Sequence, residues 1–382
     1  MSGPERTRAR TILLAALSTL LFALIVEGAA YFVDRSLAEI GIIYYPPDPG
    51  GYEKYLEVRD PILGWPVSDD HFERDASGSR IVPAFPDPQQ EACVSLYGDS
   101  YTWAADVDPE HAWGNVLSQR LGCRVANFGV RGYGTDQAYL RFQGKVEDRA
   151  PVVVLGHLSE NIARNLNQFR PLLAPRIAFG LKPRFVLGDG GALELVPLPS
   201  FSPAEFRRMI REPAPYLHHE TFLPGTAEGP TRGGFPYTFT VFATLWNHRV
   251  LSRLEGRSYW EDYYRAGDPK HGLEITRAIF AAFAREARAN GRTPLVVLFP
   301  VALDLEQRLA GAPWAYQPLL DALRDDGLPA VNVGDSMIEH VADGDLEPII
   351  GNAQHYSDQG YAIVASAVEE KLAELGVRRL GK

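Results

Sequence analysis

The chain has 382 residues, of which 46% are hydrophobic, and it carries a formal net charge of -10. This length and composition supply a sizeable core for one large or two smaller domains and argue against disorder as the main state. The acidic balance argues against a nucleic-acid partner, because binding to a phosphate backbone relies on clustered Lys and Arg, which we do not find after the N-terminal segment.

The first segment is an apolar run that follows basic residues. Three arginines in the first ten residues precede an uncharged stretch over 11–26, and apolar residues resume after Glu27 as far as Val33. To Val33 the segment has about 20 apolar residues, enough to cross a bilayer as a helix. If only the residues up to 26 are counted, its length is closer to that of the apolar core of a signal peptide, for which 28–30 would offer a cleavage site. We favour a retained anchor over 11–33, with 1–10 cytoplasmic and the rest outside by the positive-inside rule.

The chain has only two cysteines, Cys93 and Cys123, and each begins a predicted strand. If those strands are neighbours in a parallel sheet, the two thiols lie within disulfide range, and an extracytoplasmic setting would permit oxidation. Two buried free thiols are the alternative, which we weigh equally.

The composition and the pattern of hydrophobic residues change near residue 92. Residues 34–91 form an irregular lead-in, rich in Pro, Gly, Asp and Tyr from residue 44 onward, without a helical or strand period. Short apolar runs then alternate with helical patterns, which is typical of a parallel α/β sheet. The predicted strands are 93–97, 124–127, 152–155, 295–299 and 330–333. The predicted helices are 112–121, 135–146, 275–290, 315–324 and 360–375.

The regular alternation stops between about 177 and 272, which we interpret as an insertion after the third strand of a domain over 92–382. A hairpin is predicted around Asp189 to Gly191. The predicted fold is a three-layer, doubly wound, flavodoxin-like parallel sheet of about five strands. The aromatic residues of the insertion either stack on sugar rings or, as we prefer, pack the insertion onto the sheet. These residues are Tyr216, Tyr237, Phe242, Trp246, Trp260, Tyr263 and Tyr264.

Polar residues follow the predicted strands at their carboxyl ends, where functional groups collect in doubly wound sheets. Ser100 follows the first strand, Gly129 the second and Asn161 the third, and His355 lies just ahead of the last helix. Ester chemistry needs a hydroxyl, a base that activates it and donors aimed at the oxyanion. Each residue alone is explained by a helix cap, a turn or an ordinary histidine. Their common order and placement favour a single pocket.

In this order the residues resemble the four sequence blocks of the SGNH, or GDSL, family of serine esterases and lipases, over about 93–167 and 295–375. The resemblance implies that Ser100 is the nucleophile and His355 the general base, with Gly129 and Asn161 as oxyanion donors. It implies a structural role for Asp99 and a sheet of the SGNH type. The insertion is not explained by it.

Two positions depart from the family pattern. The family carries aspartate three residues before the histidine, where this chain has Asn352, and many members have aspartate where Ile162 follows Asn161. An amide fixes the histidine tautomer but brings no charge to stabilise the imidazolium. The alternatives are a Ser-His dyad steadied by Asn352, a different carboxylate such as Asp358 or Asp335, or a site without turnover.

We therefore expect a membrane-anchored, extracytoplasmic serine ester hydrolase that acts on acyl or acetyl esters through an acyl-enzyme. The alternatives are an O-acyltransferase or acetyl-esterase of envelope or exported polysaccharide, and a non-catalytic binding protein of the same fold. The expected partners are an ester-bearing small molecule, lipid or glycan and the membrane, without a cofactor or nucleic acid. No metal is expected, since the adjacent His218 and His219 lack the spacing of a helical zinc pair.

Overall fold

The computed structural model describes residues 3–65, 73–177, 179–341, 344–351 and 355–377. Its α-helices are α1 (Gly3–Glu39), α2 (Tyr52–Val58), α3 (Ser100–Trp103), α4 (Trp113–Leu121), α5 (Thr135–Gly144), α6 (Asn161–Asn165), α7 (Pro203–Met209), α8 (Tyr237–Ala243), α9 (His248–Leu254), α10 (Gly272–Ala289), α11 (Ala302–Leu309), α12 (Gln317–Asp325), α13 (Val333–Glu339) and α14 (Asp358–Glu374). Its strands are β1 (Ile43–Tyr44), β2 (Ala92–Tyr97), β3 (Arg124–Asn127), β4 (Val152–Leu158), β5 (Arg184–Leu187), β6 (Leu193–Val196), β7 (Thr231–Arg232), β8 (Thr293–Phe299) and β9 (Ala330–Asn332).

The chain divides into two compact units. The helical unit consists of Met1–Gly50, Phe169–Phe179 and Phe201–Gly256. The sheet unit consists of Gly51–Gln168, Gly180–Ser200 and Arg257–Lys382. The predicted insertion is therefore shared between the units, since its residues up to Phe179 and Phe201–Gly256 belong to the helical unit and the rest to the sheet unit.

The sheet unit is built on five parallel strands in the order β3-β2-β4-β8-β9. The side chains of β4 are all buried, and those of β8 are buried after its first residue. Burial of successive side chains on both faces is expected of parallel strands that helices cover on both sides. The order is that of a flavodoxin-like sheet, and it confirms the predicted fold class.

Helices cover the sheet in two groups. Helix α4 packs against α14, whereas α10 packs against α5 and α12. In a doubly wound sheet the crossovers change face where the strand order reverses, which here lies between β2 and β4. The carboxyl ends of these two strands therefore border the crevice in which such folds place their sites.

Two local features extend the prediction. Strands β5 and β6 pair antiparallel from Arg184 opposite Val196 to Leu187 opposite Leu193, which confirms the predicted hairpin. Helix α2 lies in the lead-in, where the sequence predicted irregular structure. It was missed because seven residues among glycines and prolines are too few to show a helical period.

The helical unit begins with the predicted apolar helix. Within α1, Arg6–Glu39 contains an 18-residue segment of mean hydropathy 2.3, none of which is buried. This helix is long and apolar enough to cross a membrane. Beyond it, β1 pairs in parallel with β7, and α8 packs along α1.

A disulfide joins Cys93 in β2 to Cys123 just before β3, and it decides between the two alternatives that the sequence left open. The two strands are neighbours, and the Cα atoms of the cysteines are 6.0 Å apart. The bond closes a loop with a sequence separation of 30 residues, and it therefore restricts the unfolded chain.

Replacing both cysteines by serine is expected to lower the free energy of unfolding by about 3 to 4 kcal/mol, because the unfolded chain regains the entropy of that loop. The full chain in detergent would be unfolded with urea. The reduced wild-type protein is the matched control and should show the same loss. Equal midpoints for oxidised wild type and the double variant would contradict the prediction.

Candidate active site

Ser100 lies at a tight turn between β2 and α3. A Cβ atom on Gly98 would overlap the Thr102 side chain, so glycine lets the helix approach the strand end closely. The Asp99 carboxylate caps α3 by accepting from the N–H groups of Tyr101 at 2.9 Å and Thr102 at 3.3 Å. Ser100 is thereby held as the first residue of the helix, with its side chain at the carboxyl end of the sheet.

His355 connects Ser100 to a carboxylate. Its Nε2 atom is 2.9 Å from Ser100 Oγ, and its Nδ1 atom is 2.5 Å from Asp106 Oδ2. A carboxylate only accepts, so Nδ1 carries the proton and Nε2 is free to accept the serine hydroxyl hydrogen. This connectivity is that of a Ser-His-Asp triad.

The carboxylate beside His355 is one that the sequence did not single out. Asn352 lies outside the described residues. Asp358 instead pairs with His111, at 2.8 Å. Asp335 instead accepts from the indole of Trp314 at 2.9 Å. The sequence suggestion of Asp358 or Asp335 as the partner of His355 is therefore replaced by Asp106.

Asp106 lies in a left-handed turn that a buried arginine stabilises. Its φ of 69° is one that Asp tolerates better than most residues. Arg80, only 1% exposed, donates to the carbonyls of Trp103, Ala104 and Val107 at 2.5–2.6 Å. Burial lowers the pKa of Arg80. These three bonds fix the backbone on both sides of Asp106 and so orient its carboxylate.

Asn161 begins α6 and is separated from the end of β4 by two residues, and its side chain is buried. Its Nδ2 atom donates to Asp99 Oδ2 at 2.9 Å, which leaves the second hydrogen of the amide for another acceptor. Burial raises the pKa of Asp99, whereas Arg164, 3.6 Å away, opposes that change. Asp99 thus supports both the nucleophile turn and the Asn161 amide.

The loop after β3 contains the glycine that the resemblance offered as an oxyanion donor. The Gly129 N–H donates to Asn127 Oδ1 at 3.0 Å, so this donor is engaged within its own turn. Further along, Gly132 has φ 80° and is half-buried, and among the described residues none accepts its N–H. The preceding Arg131 lies 3.9 Å from Asp106 Oδ1, which brings this part of the loop beside the triad carboxylate.

A second histidine in the sheet unit has a structural environment. His157 Nδ1 is 2.7 Å from Thr135 Oγ1, and Nε2 is 2.9 Å from the Tyr264 hydroxyl oxygen. Since Tyr264 donates its own hydrogen to the Ser159 carbonyl, it accepts from Nε2, and Nδ1 accepts from Thr135. Burial lowers the pKa of His157 to about 3, so the ring is neutral. We assign it a packing role.

Of the seven aromatic residues named in the predicted insertion, two are buried, two are exposed, and Tyr216, Tyr237 and Trp260 are half-buried. Tyr263 and Tyr264 are buried in the sheet unit, in agreement with the packing interpretation. Phe242 and Trp246 in the helical unit are 58% and 65% exposed, which contradicts that interpretation for these two residues.

Asp304 is a buried carboxyl near the strand ends. Its Oδ2 atom accepts from the Ser159 hydroxyl at 2.5 Å and from the Val301 N–H at 2.8 Å. Burial raises its pKa from 3.8 to about 7, although both hydrogen bonds act in the opposite direction. Between these pH values the native state holds a proton that the unfolded chain has released. The free energy of unfolding therefore falls as the pH rises from about 4 to about 7.

The Asp304→Asn variant is expected to lose this pH dependence, which is worth about 3 kcal/mol between pH 5 and pH 8. Both hydrogen bonds end on one oxygen, so the amide oxygen of asparagine can accept them. Urea unfolding of the full chain in detergent at pH 5 and pH 8 would measure the difference. The free energy of unfolding of the variant, relative to that of the wild type, should be higher at pH 8 than at pH 5. An equal difference at both pH values would contradict a raised pKa for Asp304.

Among the described residues, no group of three or more His, Cys, Asp or Glu side chains could hold a metal ion. The chemistry available at the strand ends is that of a hydroxyl, an imidazole and a carboxylate in series, with amide donors beside them.

The solved structures that resemble this chain include a member of the lipolytic protein G-D-S-L family, a GDSL-like lipase and a lipase/acylhydrolase, in line with the class that the sequence resemblance predicted. A member of the lipolytic protein G-D-S-L family from Veillonella parvula is 10% identical, with a TM-score of 0.35, over 75% of this chain and 98% of its own. A GDSL-like lipase from Bacteroides thetaiotaomicron is 13% identical, with a TM-score of 0.35, over 74% and 88%. The lipase/acylhydrolase from Enterococcus faecalis is 11% identical, with a TM-score of 0.36, over 74% and 95%.

No protein-family profile matches the sequence, and no curated protein matches it. At these identities and TM-scores the structural neighbours carry no argument about the site. Its interpretation therefore rests on the geometry of the side chains.

Proposed function

We propose that this protein is a membrane-anchored serine ester hydrolase with Ser100, His355 and Asp106 as its catalytic triad. The observation that carries the proposal is the unbroken series of hydrogen bonds from Ser100 Oγ through both ring nitrogens of His355 to the Asp106 carboxylate. The aspartate absent at position 352 had favoured a site without turnover. Asp106 supplies the missing charge and so favours the catalytic alternative.

In the acylation step, His355 Nε2 accepts the proton of Ser100 as the serine oxygen attacks the ester carbonyl carbon. The negative charge of Asp106 stabilises the imidazolium that forms. The tetrahedral intermediate collapses when the protonated Nε2 gives its proton to the departing alcohol oxygen. The products are the free alcohol and an acyl group on Ser100.

The oxyanion of that intermediate needs hydrogen-bond donors at the amino end of α3. We assign this role to the Ser100 N–H and to the second hydrogen of the Asn161 amide. Gly132 supplies the backbone N–H of the loop after β3, since the N–H of Gly129 is engaged by Asn127. In deacylation, water gives a proton to His355 and attacks the acyl carbon, and the carboxylic acid leaves as Ser100 regains its hydrogen.

The location outside the cytoplasm is part of the proposal. The basic residues before the apolar part of α1 support it through the positive-inside rule. The Cys93–Cys123 disulfide also supports it, because such bonds persist in oxidising compartments. Protease added to sealed right-side-out vesicles should digest the sheet unit, and protection from digestion until detergent is added would contradict this orientation.

A fluorophosphonate probe tests the hydrolase proposal directly. The full chain in detergent should become labelled at Ser100, and the Ser100→Ala variant should not. Failure to label the wild type, beside a serine hydrolase that labels normally, would overturn the proposal. Assays of p-nitrophenyl acetate with and without oligosaccharide acceptors then show whether water or a sugar hydroxyl accepts the acyl group. Acetylated sugar formed faster than acetate would identify a transferase.

A further inference from the structure

The helical unit exposes an ordered row of large aromatic side chains. Phe235, Phe239, Phe242 and Trp246, here called the aromatic stripe, are 76%, 74%, 58% and 65% exposed. Phe239, Phe242 and Trp246 follow the spacing i, i+3 and i+7, which places them along one face of α8 and the helical turn after it. Phe235 lies just before the helix, from which the extended Pro236 separates it.

The opposite face of the same segment is small and polar. Thr240 is 8% exposed and Thr244 is 3% exposed. Their hydroxyls donate to the backbone carbonyls of Gly234 and Val241. This arrangement reverses the usual surface helix, in which the apolar face is buried. Large exposed apolar patches mark surfaces that contact a partner or a membrane.

Helix α8 is attached to α1 through Glu27, the one charge within the apolar run. The Glu27 carboxylate accepts from the backbone N–H groups of Tyr237 and Thr238 and from the Thr238 hydroxyl. The rings of Tyr31 and Tyr237 also meet edge to face, with centroids 5.1 Å apart. The start of α8 is therefore fixed at the level of Glu27 on α1.

On the proposed anchor, the length of the apolar run places this level at one boundary of the hydrocarbon layer. The run between Arg10 and Glu27 spans roughly 26 Å at 1.5 Å per helical residue, close to the ~30 Å of a bilayer core. With the arginines at one boundary, Glu27 lies near the other. A carboxylate there is unfavourable unless hydrogen bonds satisfy it, and α8 supplies three donors.

We propose that the aromatic stripe is a second membrane contact, which inserts into the lipid interface beside α1 on the side opposite the arginines. This inference rests on the proposed anchor. We favour lipid over a protein partner because the aromatic stripe lies beside another exposed apolar surface. That surface includes Leu24 and Phe32 of α1, the helix against which α8 packs. Trp and other aromatic rings favour this interfacial depth. The stripe itself contains no polar group except the Trp246 indole N–H, which suits lipid better than sugar.

Spin labels on the full chain in nanodiscs of phosphatidylcholine and phosphatidylglycerol test this proposal. Both native cysteines are in the disulfide, so a Phe239→Cys variant carries a single free thiol for one nitroxide. Leu20→Cys in α1 is the lipid-exposed reference. Val146→Cys in the sheet unit, 72% exposed, is the matched apolar control. Collisions with oxygen, which dissolves in lipid, are compared with collisions with a water-soluble nickel complex.

The oxygen-to-nickel collision ratio at position 239 should exceed that at position 146 several-fold and approach that at position 20. A ratio equal to that at position 146 would overturn the proposal. Shielding from both reagents would also overturn it, in favour of a second copy of the chain. If position 20 itself gave the aqueous ratio, the anchor would fail, which distinguishes the two failures. A Phe242→Cys variant repeats the measurement on the same face and guards against local misfolding at position 239.

Discussion

Replacing Asp106 by asparagine is expected to lower kcat for an ester substrate by about 10³- to 10⁴-fold while changing KM little. Asparagine tolerates the left-handed backbone of position 106, so the turn keeps its shape. Its amide donates to Nδ1 of His355 and favours the tautomer with a proton on Nε2, which can no longer accept from Ser100. The imidazolium also loses its counter-charge. Steady-state hydrolysis of p-nitrophenyl acetate by the full chain in detergent measures the effect.

Matched variants make this result specific. Asp358→Asn removes a carboxylate that pairs with His111, and it should keep most of the activity. His355→Ala should abolish turnover, whereas Asn352→Ala should lower it far less. A large loss in Asp358→Asn together with little loss in Asp106→Asn would contradict the assignment of the triad acid.

The Lys182→Met variant is expected to lower the free energy of unfolding by about 3 to 5 kcal/mol. Lys182 and Asp136 are both fully buried and form an ion pair. Lys182 Nζ also donates to the carbonyls of Arg164 at 3.1 Å and Asn167 at 3.0 Å. Burial raises the pKa of Asp136, and Lys182 is the main opposing charge. Without it, a carboxylate is left in the core with its charge uncompensated.

A double-mutant cycle separates this pair from general packing. If the charge left behind causes the loss, adding Asp136→Asn to Lys182→Met should recover part of it. The loss in the single variant should also shrink in acid, where Asp136 takes up a proton. Additive losses for the two substitutions, independent of pH, would contradict the explanation. Urea unfolding of the full chain in detergent supplies all four stabilities.

The main elements of the sheet unit could be predicted from the sequence because each has a strong local signal. Residues 152–155 of β4 and 294–299 of β8 are continuous apolar runs, and α10 has a clear helical period. The short helices of the helical unit have no such signal. In α8 the apolar residues face outward, so a prediction that assigns aromatic residues to the core places Phe242 and Trp246 incorrectly.

Two parts of the candidate site depend on local backbone geometry and were not visible as motifs. Asp106 has no motif spacing to Ser100, and its orientation comes from a left-handed turn and from Arg80, which precedes the first strand of the sheet. The choice between glycines depends on the Asn127 side chain, which engages the Gly129 N–H. An asparagine two residues before a glycine is a recognised turn signal, and it could have pointed beyond Gly129.

Asp106 lies in the turn that follows α3, the short helix that begins with Ser100. In the sequence, His355 lies 255 positions from Ser100 and 249 from Asp106. The acid and the nucleophile of the proposed triad are therefore close in sequence, and only the histidine is distant. Because Asp106 supplies the negative charge in the proposed triad, the residue three positions before His355 need not be a carboxylate. Under the proposed triad, in which Asp106 supplies the acid, the asparagine at position 352 does not argue for loss of catalytic activity.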